Sequence, residues 1–322
     1  MIIDDIINKI KSSNKLAITF HISPDGDSIG SSLGLLNALR SIGKNAYILS
    51  KEVVPESFGF LNYASEITGT AYDITDDTDL LITLDCGDIE RLNFNNSIME
   101  SKNKSFFVIN IDHHVTNDSF GDLNFVNTKA ASVGEIIYDI LLRANMPIDR
   151  NIAACLYTSI LTDTGSFRFS NTTEHTHAVA GALISTGLDF SEIHRKIFDN
   201  KKFEAFKLQA LVLNDMYLTF DKKLCVMKVT KDFLKKSAAE DADTGDLVSM
   251  GLKVNTAEVC ILLKEKDDCI KVSLRSKSYV DVRKIAEKFG GGGHVRAAGL
   301  SIDSINILEA ERMLLSEIES EL

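Results

Sequence analysis

The sequence contains no tryptophan, no C-x-x-C pair and no uninterrupted apolar run near 18 residues. Without such a run, no membrane span is expected. The five cysteines (Cys86, Cys155, Cys225, Cys260 and Cys269) are scattered and odd in number. That usage fits buried thiols in a reduced, cytoplasmic compartment better than a disulfide framework. The N-terminus has neither a basic start nor a small-residue cleavage site, and Asp4 and Asp5 interrupt its apolar stretch. It therefore reads as a helix, not a signal peptide. An excess of positive charge is also missing. Lys and Arg number 35 against 46 Asp and Glu, a formal net charge of −11. This disfavours broad nucleic-acid binding through a basic surface but leaves room for an anionic substrate at a local cationic site. No low-complexity tract or internal repeat stands out.

What remains is an ordinary soluble composition, 44% hydrophobic and 25% charged, in a 322-residue chain long enough for two domains. Strand-like runs lie at Leu16–His21, Asn45–Ser50, Asp79–Leu84 and Phe106–Ile111. They are short, apolar and rich in Ile, Val, Leu and Phe, as strands buried on both faces should be. Helices are expected near Ser28–Ser41, Ser132–Ala144 and Asn151–Leu161. Strands alternating with helices predict a parallel α/β sheet. Residues 173–214 read as mostly helical, with Asn171-Thr-Thr-Glu174 as a capping box at one start. After Met216 the texture changes. Leu224–Val229, Ala257–Lys264 and Cys269–Arg275 look like strands, the last two joined by a turn at Lys266-Asp267-Asp268, and helices follow near Asp281–Phe289 and Ile305–Leu322. The expected organisation is a catalytic α/β domain over 1–190, a helical linker over 191–215 and a smaller α/β domain over 216–322.

Four polar clusters sit where an apolar element ends: His21-Ile-Ser-Pro-Asp25-Gly-Asp27, Asp85-Cys86-Gly87-Asp88, Asp112-His113-His114 and Asp163-Thr-Gly165. Taken singly each has a plain explanation. Asp27 can cap a helix and Asp85 can serve a turn. Together they gather carboxylates that repel one another and so call for a cation. In an open α/β sheet the carboxyl ends of the strands share one rim, where ligands bind. The pool His21, Asp25, Asp27, Asp85, His113 and Asp163 holds imidazoles and carboxylates but no thiolate. It suits Mn²⁺, with Mg²⁺, Fe²⁺ or Co²⁺ as alternatives, better than a structural zinc. Six ligands suit two metal ions. Asp25 and Asp27, at most ~7 Å apart along the chain, can serve neighbouring ions ~3.5–4 Å apart.

In order, HISPDGDSIGSS, LDCGD, IDHH and TDTGSFRF closely resemble the four motifs of the DHH phosphoesterase superfamily. Ser273-Leu-Arg275-Ser276 and Gly290-Gly-Gly-Gly293-His294 resemble motifs of its DHH-associated C-terminal domain. The likeness covers nearly the whole chain. Its length without added modules resembles the stand-alone nanoRNase/pAp-phosphatase type. The resemblance implies one metal on His21, Asp25 and Asp85, a second on Asp27, Asp85, His113 and Asp163, and Asp85 as the bridge. It implies that Asp112 orients His113, and that His114 faces the phosphate. Arg275, Ser276, Gly291, Gly292, Gly293 and His294 would hold the phosphorylated end of the substrate. Gly290 alone could simply end a helix. The full glycine run would turn its N–H groups on an anion, helped by a following helix start. Arg168 is a further expected substrate contact, and Arg296 a weaker one. His175, His177 and His194 are read as structural or solvent-facing, and Cys86 as packing.

The implied activity is hydrolysis of very short oligoribonucleotides to mononucleotides and of pAp to AMP, in a cleft between the domains. The expected partners are short RNA oligonucleotides, pAp or linear dinucleotides, with no long duplex and no membrane; a homodimer is left open. A phosphodiesterase for pApA would use the same chemistry. A RecJ-like single-strand exonuclease would need a basic stripe with stacking aromatics, which is not seen. A decayed, non-catalytic nucleotide binder would have lost ligands, yet all six are present.

Overall fold

A computed structural model of the chain describes residues 2–100, 104–240, 244, 246–303 and 305–322, without the side chains of Glu100 and His294. The chain divides into two units, one ending at Asn200 and the other running from Lys201 to Leu322.

In the first unit a five-stranded sheet has the order β2-β1-β3-β4-β5. The strands are β1 (Lys15–Thr19), β2 (Asn45–Ile48), β3 (Leu80–Leu84), β4 (Phe107–Asp112) and β5 (Leu123–Val126). All pairings are parallel, as the apolar runs predict. Leu16, Ile18, Ile82 and Ile109 face the larger core, while Ala17, Leu81 and Val108 face a second cluster around Phe94 and Phe106. Both faces are therefore dry. The short β5 carries no such run and escapes a sequence reading.

Helices α1 (Ile2–Ser12), α2 (Gly26–Ser41), α3 (Val133–Arg143), α4 (Arg150–Asp163), α5 (Glu174–Ile184) and α6 (Phe190–Phe198) complete this unit. Helix α2 begins at Asp25, whose carboxylate accepts from the Asp27 and Ser28 N–H groups, while Ser28 returns a bond to the Asp25 N–H. Its Gly26, Gly30 and Gly34 form one stripe against α4. A Cβ at Gly30 would lie 2.6 Å from the Cys155 carbonyl oxygen and 2.8 Å from the Ser159 nitrogen. Only glycine lets the two helices approach this closely. The capping box expected at Asn171–Glu174 is displaced by two residues. Thr173 is the cap and exchanges bonds with Thr176. Asn171 instead donates to the Ala131 and Asp163 carbonyls.

The second unit opens with α7 (Phe203–Asp215) and carries a six-stranded mixed sheet of order β10-β11-β9-β8-β7-β6. Its strands are β6 (Tyr217–Thr219), β7 (Leu224–Val229), β8 (Val259–Glu265), β9 (Cys269–Ser276), β10 (Gly292–His294) and β11 (Ala297–Asp303). Among the described residues of this unit only β7 and β8 pair in parallel. The β8–β9 hairpin turns at Lys266–Asp268, closed by the Lys266 N–H on the Cys269 carbonyl at 2.9 Å. Helices α8 (Lys231–Ser237), α9 (Leu247–Gly251), α10 (Val282–Lys288) and α11 (Ile307–Glu319) flank the sheet. The stretch expected as a linker is two helices owned by different cores. Ile193 of α6 joins the first core, and Leu208 and Val212 of α7 join the second.

The glycine run also differs from expectation. Gly290, at φ +73°, ends α10, but no helix start follows. Gly292, Gly293 and His294 instead pair antiparallel with Gly299, Ala298 and Ala297. Two of the glycines answer to this hairpin: a Cβ at Gly291 would meet the Gly299 carbonyl at 2.3 Å, and Gly293 holds φ +141°.

Candidate metal centre

Strands β1, β3 and β4 are adjacent, and their carboxyl ends deliver His21, Asp85 and the Asp112-His113-His114 run to one rim. Asp27 comes from the first turn of α2, and Asp163 is the last residue of α4. The close packing of these two helices brings both carboxylates to the same place. His113 Nε2 lies 3.7 Å from Asp27 Oδ2, 3.6 Å from Asp85 Oδ1 and 3.6 Å from Asp163 Oδ2. His21 Nε2 lies 3.3 Å from Asp85 Oδ2 and 3.7 Å from Asp25 Oδ2. Three groups of candidate ligands result, His21/Asp25/Asp85, Asp27/His113/Asp163 and Asp85/Asp112/His113/His114; in the third, Asp112 and His114 Nδ1 are already bonded to each other, which leaves the first two for cations. Asp85 turns one oxygen toward each.

Both imidazoles have Nδ1 tied down, so that Nε2 can serve the centre once it gives up its proton to an arriving cation. A carbonyl oxygen can only accept, so His21 Nδ1 donates to Ile22 O at 2.8 Å and His113 Nδ1 to Ala130 O at 3.2 Å. That leaves Nε2 of each ring for the centre. Asp27 is fixed just as firmly. It accepts from the Val133 N–H at 2.8 Å, the Gly134 N–H at 3.2 Å and the Ser159 hydroxyl at 2.5 Å. These anchors, and Asn171 behind Asp163, belong to no motif. The small-residue start of α3 at Ser132-Val-Gly134 was the one available signal.

Electrostatics make the centre hungry for positive charge. Burial and the neighbouring Asp27 carboxylate push Asp85 well above the usual carboxylate range. Burial and the Asp27 charge raise Asp163 to about 7. The imidazoles show the converse: burial works to lower His21, but Asp25 and Asp85 outweigh it and hold the ring at about 10. Asp85 φ is +55°, a left-handed conformation that costs a non-glycine residue of order 1–2 kcal/mol. Its Oδ1 is buried and receives no hydrogen bond from the described residues. An orphaned buried carboxylate oxygen normally costs several kcal/mol, and a cation removes that cost. Oxygen and imidazole ligands without thiolate are the donor set of a hard-to-borderline divalent ion. The residues fit a two-metal centre.

Asp112 differs from expectation. Its carboxylate holds His114, not the His113 ring: Oδ1 accepts from His114 Nδ1 at 2.8 Å and from the His113 backbone N–H at 2.7 Å. Asn117 secures the other oxygen at 2.6 Å. The reason is geometric, because the His113 ring already uses Nδ1 on Ala130. His114 keeps Nε2 as its remaining polar atom, with a side chain 35% exposed.

The other expected residues are placed as follows. Arg168 is exposed, with Nε donating to the Gly165 carbonyl at 2.7 Å. Arg275 is half-buried on β9, with Nη1 on the Leu274 carbonyl at 2.9 Å. Among the described residues no carboxylate stands in ion-pair contact with it. Ser276 is buried and commits its proton to the Val280 carbonyl at 2.7 Å, so it can only accept from a ligand. Arg296 likewise donates to Val280 O at 2.7 Å. The His294 side chain lies outside what is described. His175 faces Asp139 at 3.0 Å, His177 stacks on Phe167 and His194 faces Asp199 at 3.3 Å, so none joins the centre. Burial raises the Cys86 thiol to about 12, the state of a packing residue.

Known proteins resemble this chain along most of its length. Residues 15–160 match the DHH family N-terminal domain, and residues 221–322 match the DHHA1 domain. The bifunctional oligoribonuclease and PAP phosphatase NrnA of Thermus thermophilus is 32% identical over 95% of this chain and 89% of its own. The protein of the same name from Bacillus subtilis is 30% identical over 96% of each chain. A crystal structure of an exopolyphosphatase-related protein from Bacteroides fragilis superposes with a TM-score of 0.91 at 25% identity, covering 99% of this chain and 96% of the other.

Proposed function

The chain belongs to the DHH phosphoesterase family, and from that premise we propose that it hydrolyses very short oligoribonucleotides to mononucleotides and pAp to AMP. The observation that carries this is the pair of ligand groups joined by Asp85, whose buried Oδ1 has no donor among the described residues. Relatives named for both activities support it over nearly the full chain. His21, Asp25 and Asp85 would hold one divalent ion, and Asp27, Asp85, His113 and Asp163 the other. Such a pair supplies activation of water for attack on a phosphate ester, and charge for the phosphate oxygens. The oxygen-rich ligand set favours Mn²⁺.

The protein's own groups do the rest. Asp112 fixes the His114 ring through Nδ1, so that Nε2 can meet a phosphate or leaving-group oxygen. Asn117 holds Asp112 in turn. Arg275, a half-buried cation with no carboxylate partner among the described residues, is suited to grip a terminal phosphate. Gly292, whose Cα faces open space, lets an anion approach the β10 backbone. The net charge of −11 favours a substrate needing a few local cations over a long polymer. Among the described residues no helix is long and apolar enough to cross a membrane. All five cysteines are free, and we place the protein in the reducing cytoplasm.

The test is a substrate panel under Mn²⁺: pAp, pApA, and RNA and DNA from two to about ten nucleotides. We expect release of AMP from pAp and turnover that falls as the oligonucleotide lengthens. Equal or faster cleavage of the longest strands would overturn the assignment.

A further inference from the structure

Just past Asp163 the backbone turns against its own preference. Gly165, Ser166 and Phe167 all have positive φ, at 55°, 62° and 62°. Consecutive left-handed residues that are not glycine are costly and persist only where surroundings fix them. Here the Phe167 N–H bonds to the Thr164 hydroxyl at 3.0 Å, and the Arg168 and Phe169 N–H groups share the Thr164 carbonyl at 2.9 and 3.0 Å. The Phe167 ring stacks on His177 with centroids 5.2 Å apart.

The turn mounts two side chains on one residue. Arg168 Nε donates to the Gly165 carbonyl. The Phe169 ring covers Gly165, where a Cβ would come within 2.4–2.7 Å of its edge carbons. Yet Phe169 remains 55% exposed. An ordinary surface phenylalanine has no such support. This one is a fixed aromatic face beside a cation, six residues from a metal-ligating carboxylate. Among the described residues no carboxylate stands in ion-pair contact with Arg168.

We infer that Phe169 is the stacking platform for a nucleobase of the substrate, with Arg168 beside it for the adjoining phosphate; this rests on the function proposed above. A phenyl face accepts any base, so the platform would impose length and base presence without reading sequence. Glycine at 165 is then required for room under the ring, and it also relieves the strain of its φ.

The experiment uses the full chain with Mn²⁺, the dinucleotide pApA, and two analogues each lacking one base. Wild-type turnover of pApA is measured first, and its absence would sink the functional reading itself. Given turnover, Phe169→Ala should raise KM for pApA about 5- to 150-fold, the range for loss of one stacked base, with kcat little changed. On one of the two analogues the loss should be at least fivefold smaller, because the stacked base is already gone. Phe169→Trp should restore the wild-type KM. Equal losses on all three substrates, failure of the tryptophan variant to rescue, or an altered Mn²⁺ affinity by calorimetry would each overturn the inference. The last would mark Phe169 as a positioning residue for Asp163.

Discussion

Asp27 in the first unit and Glu258 in the second are both buried carboxylates fastened by backbone N–H groups. Asp27 accepts from Val133, Gly134 and Ser159; Glu258 accepts from the N–H groups of Ser278, Tyr279 and Val280 and from the Ser278 hydroxyl. Their protons nevertheless behave oppositely. Asp27 is raised: burial leads, His113 and Ser159 oppose it, and the charge of Asp25 adds to it. Glu258 is lowered, because its backbone donors outweigh the cost of burial. The donor sets are alike, so the difference lies first in burial: at Asp27 it prevails even against His113 and Ser159, and the Asp25 charge adds to it, whereas at Glu258 the donors outweigh it. Glu258 is a closed structural site whose charge is already satisfied. Asp27 belongs to a crowd of carboxylates that stays unsatisfied until a cation arrives. The first unit is built to bind metal at some cost to its own stability; the second is built to hold its shape.

The sharpest way to break that contrast is Asp85→Asn. It keeps the side-chain shape and removes the bridging charge. The lost stabilisation of developing charge is several kcal/mol, so we expect phosphoesterase turnover to fall about 10³-fold, at ~1.4 kcal/mol per decade. In chelator, however, the variant should unfold at the same or a higher urea concentration than wild type, because like-charge repulsion has been relieved. Retained turnover, or clear destabilisation in chelator, would contradict the reading of Asp85.

Next in size is the helix pair that carries Asp27 and Asp163. At Gly30→Val the new Cβ meets backbone atoms of α4, which cannot rotate away. Overpacking of this kind should destabilise by about 3 kcal/mol and weaken Mn²⁺ binding in calorimetry, because the two carboxylates separate. The comparison residue in the second unit is Gly292, whose Cα faces open space. Gly292→Ala should change stability by no more than about 0.5 kcal/mol. Equal effects at the two glycines would show that the α2–α4 approach is not what places the ligands.

The two units were unequally legible in sequence. Strands β1, β3 and β4 announced themselves because burial on both faces made them continuous apolar runs. Their polar ends then marked the rim, and Asp25 and Asp27 marked the start of α2. Which carboxylate caps α2 was not legible: Asp25 does so, and Asp27 instead accepts from the first N–H groups of α3 at the edge of the centre. The partners that aim the ligands were also hidden. Ser159 is 132 residues from Asp27, and only the packing of α4 against α2 joins them. Asp112 looked like the natural partner of His113, yet the Ala130 carbonyl had already taken that ring. In the second unit the glycine run read as an anion loop before a helix, because a glycine's backbone freedom looks the same whether it serves a ligand or a tight hairpin. Strand β10 holds no apolar side chain to reveal that hairpin, whereas β11 does alternate, with Ala298, Leu300 and Ile302 on its inner face, and its signal is simply short.

The smallest effect tests the other half of the contrast. Glu258→Gln should weaken the second unit by about 2 kcal/mol at neutral pH, the order expected for hydrogen bonds to a charged group. Hydrogen exchange should locate the loss in β8 and β9. The pH dependence has a definite sign. The carboxyl is lowered on folding from an ordinary value of 4.5. Its contribution is therefore complete above that pH and is lost as pH falls through the lower folded value. Wild type and Glu258→Gln should differ most above about pH 5 and converge in acid. Asp27 and Asp85, raised on folding, oppose metal-free stability as pH rises, and bound metal should cancel that trend in the first unit while leaving the Glu258 profile unmoved. A metal-dependent change in the Glu258 profile would erase the distinction between a unit completed by cations and one already complete.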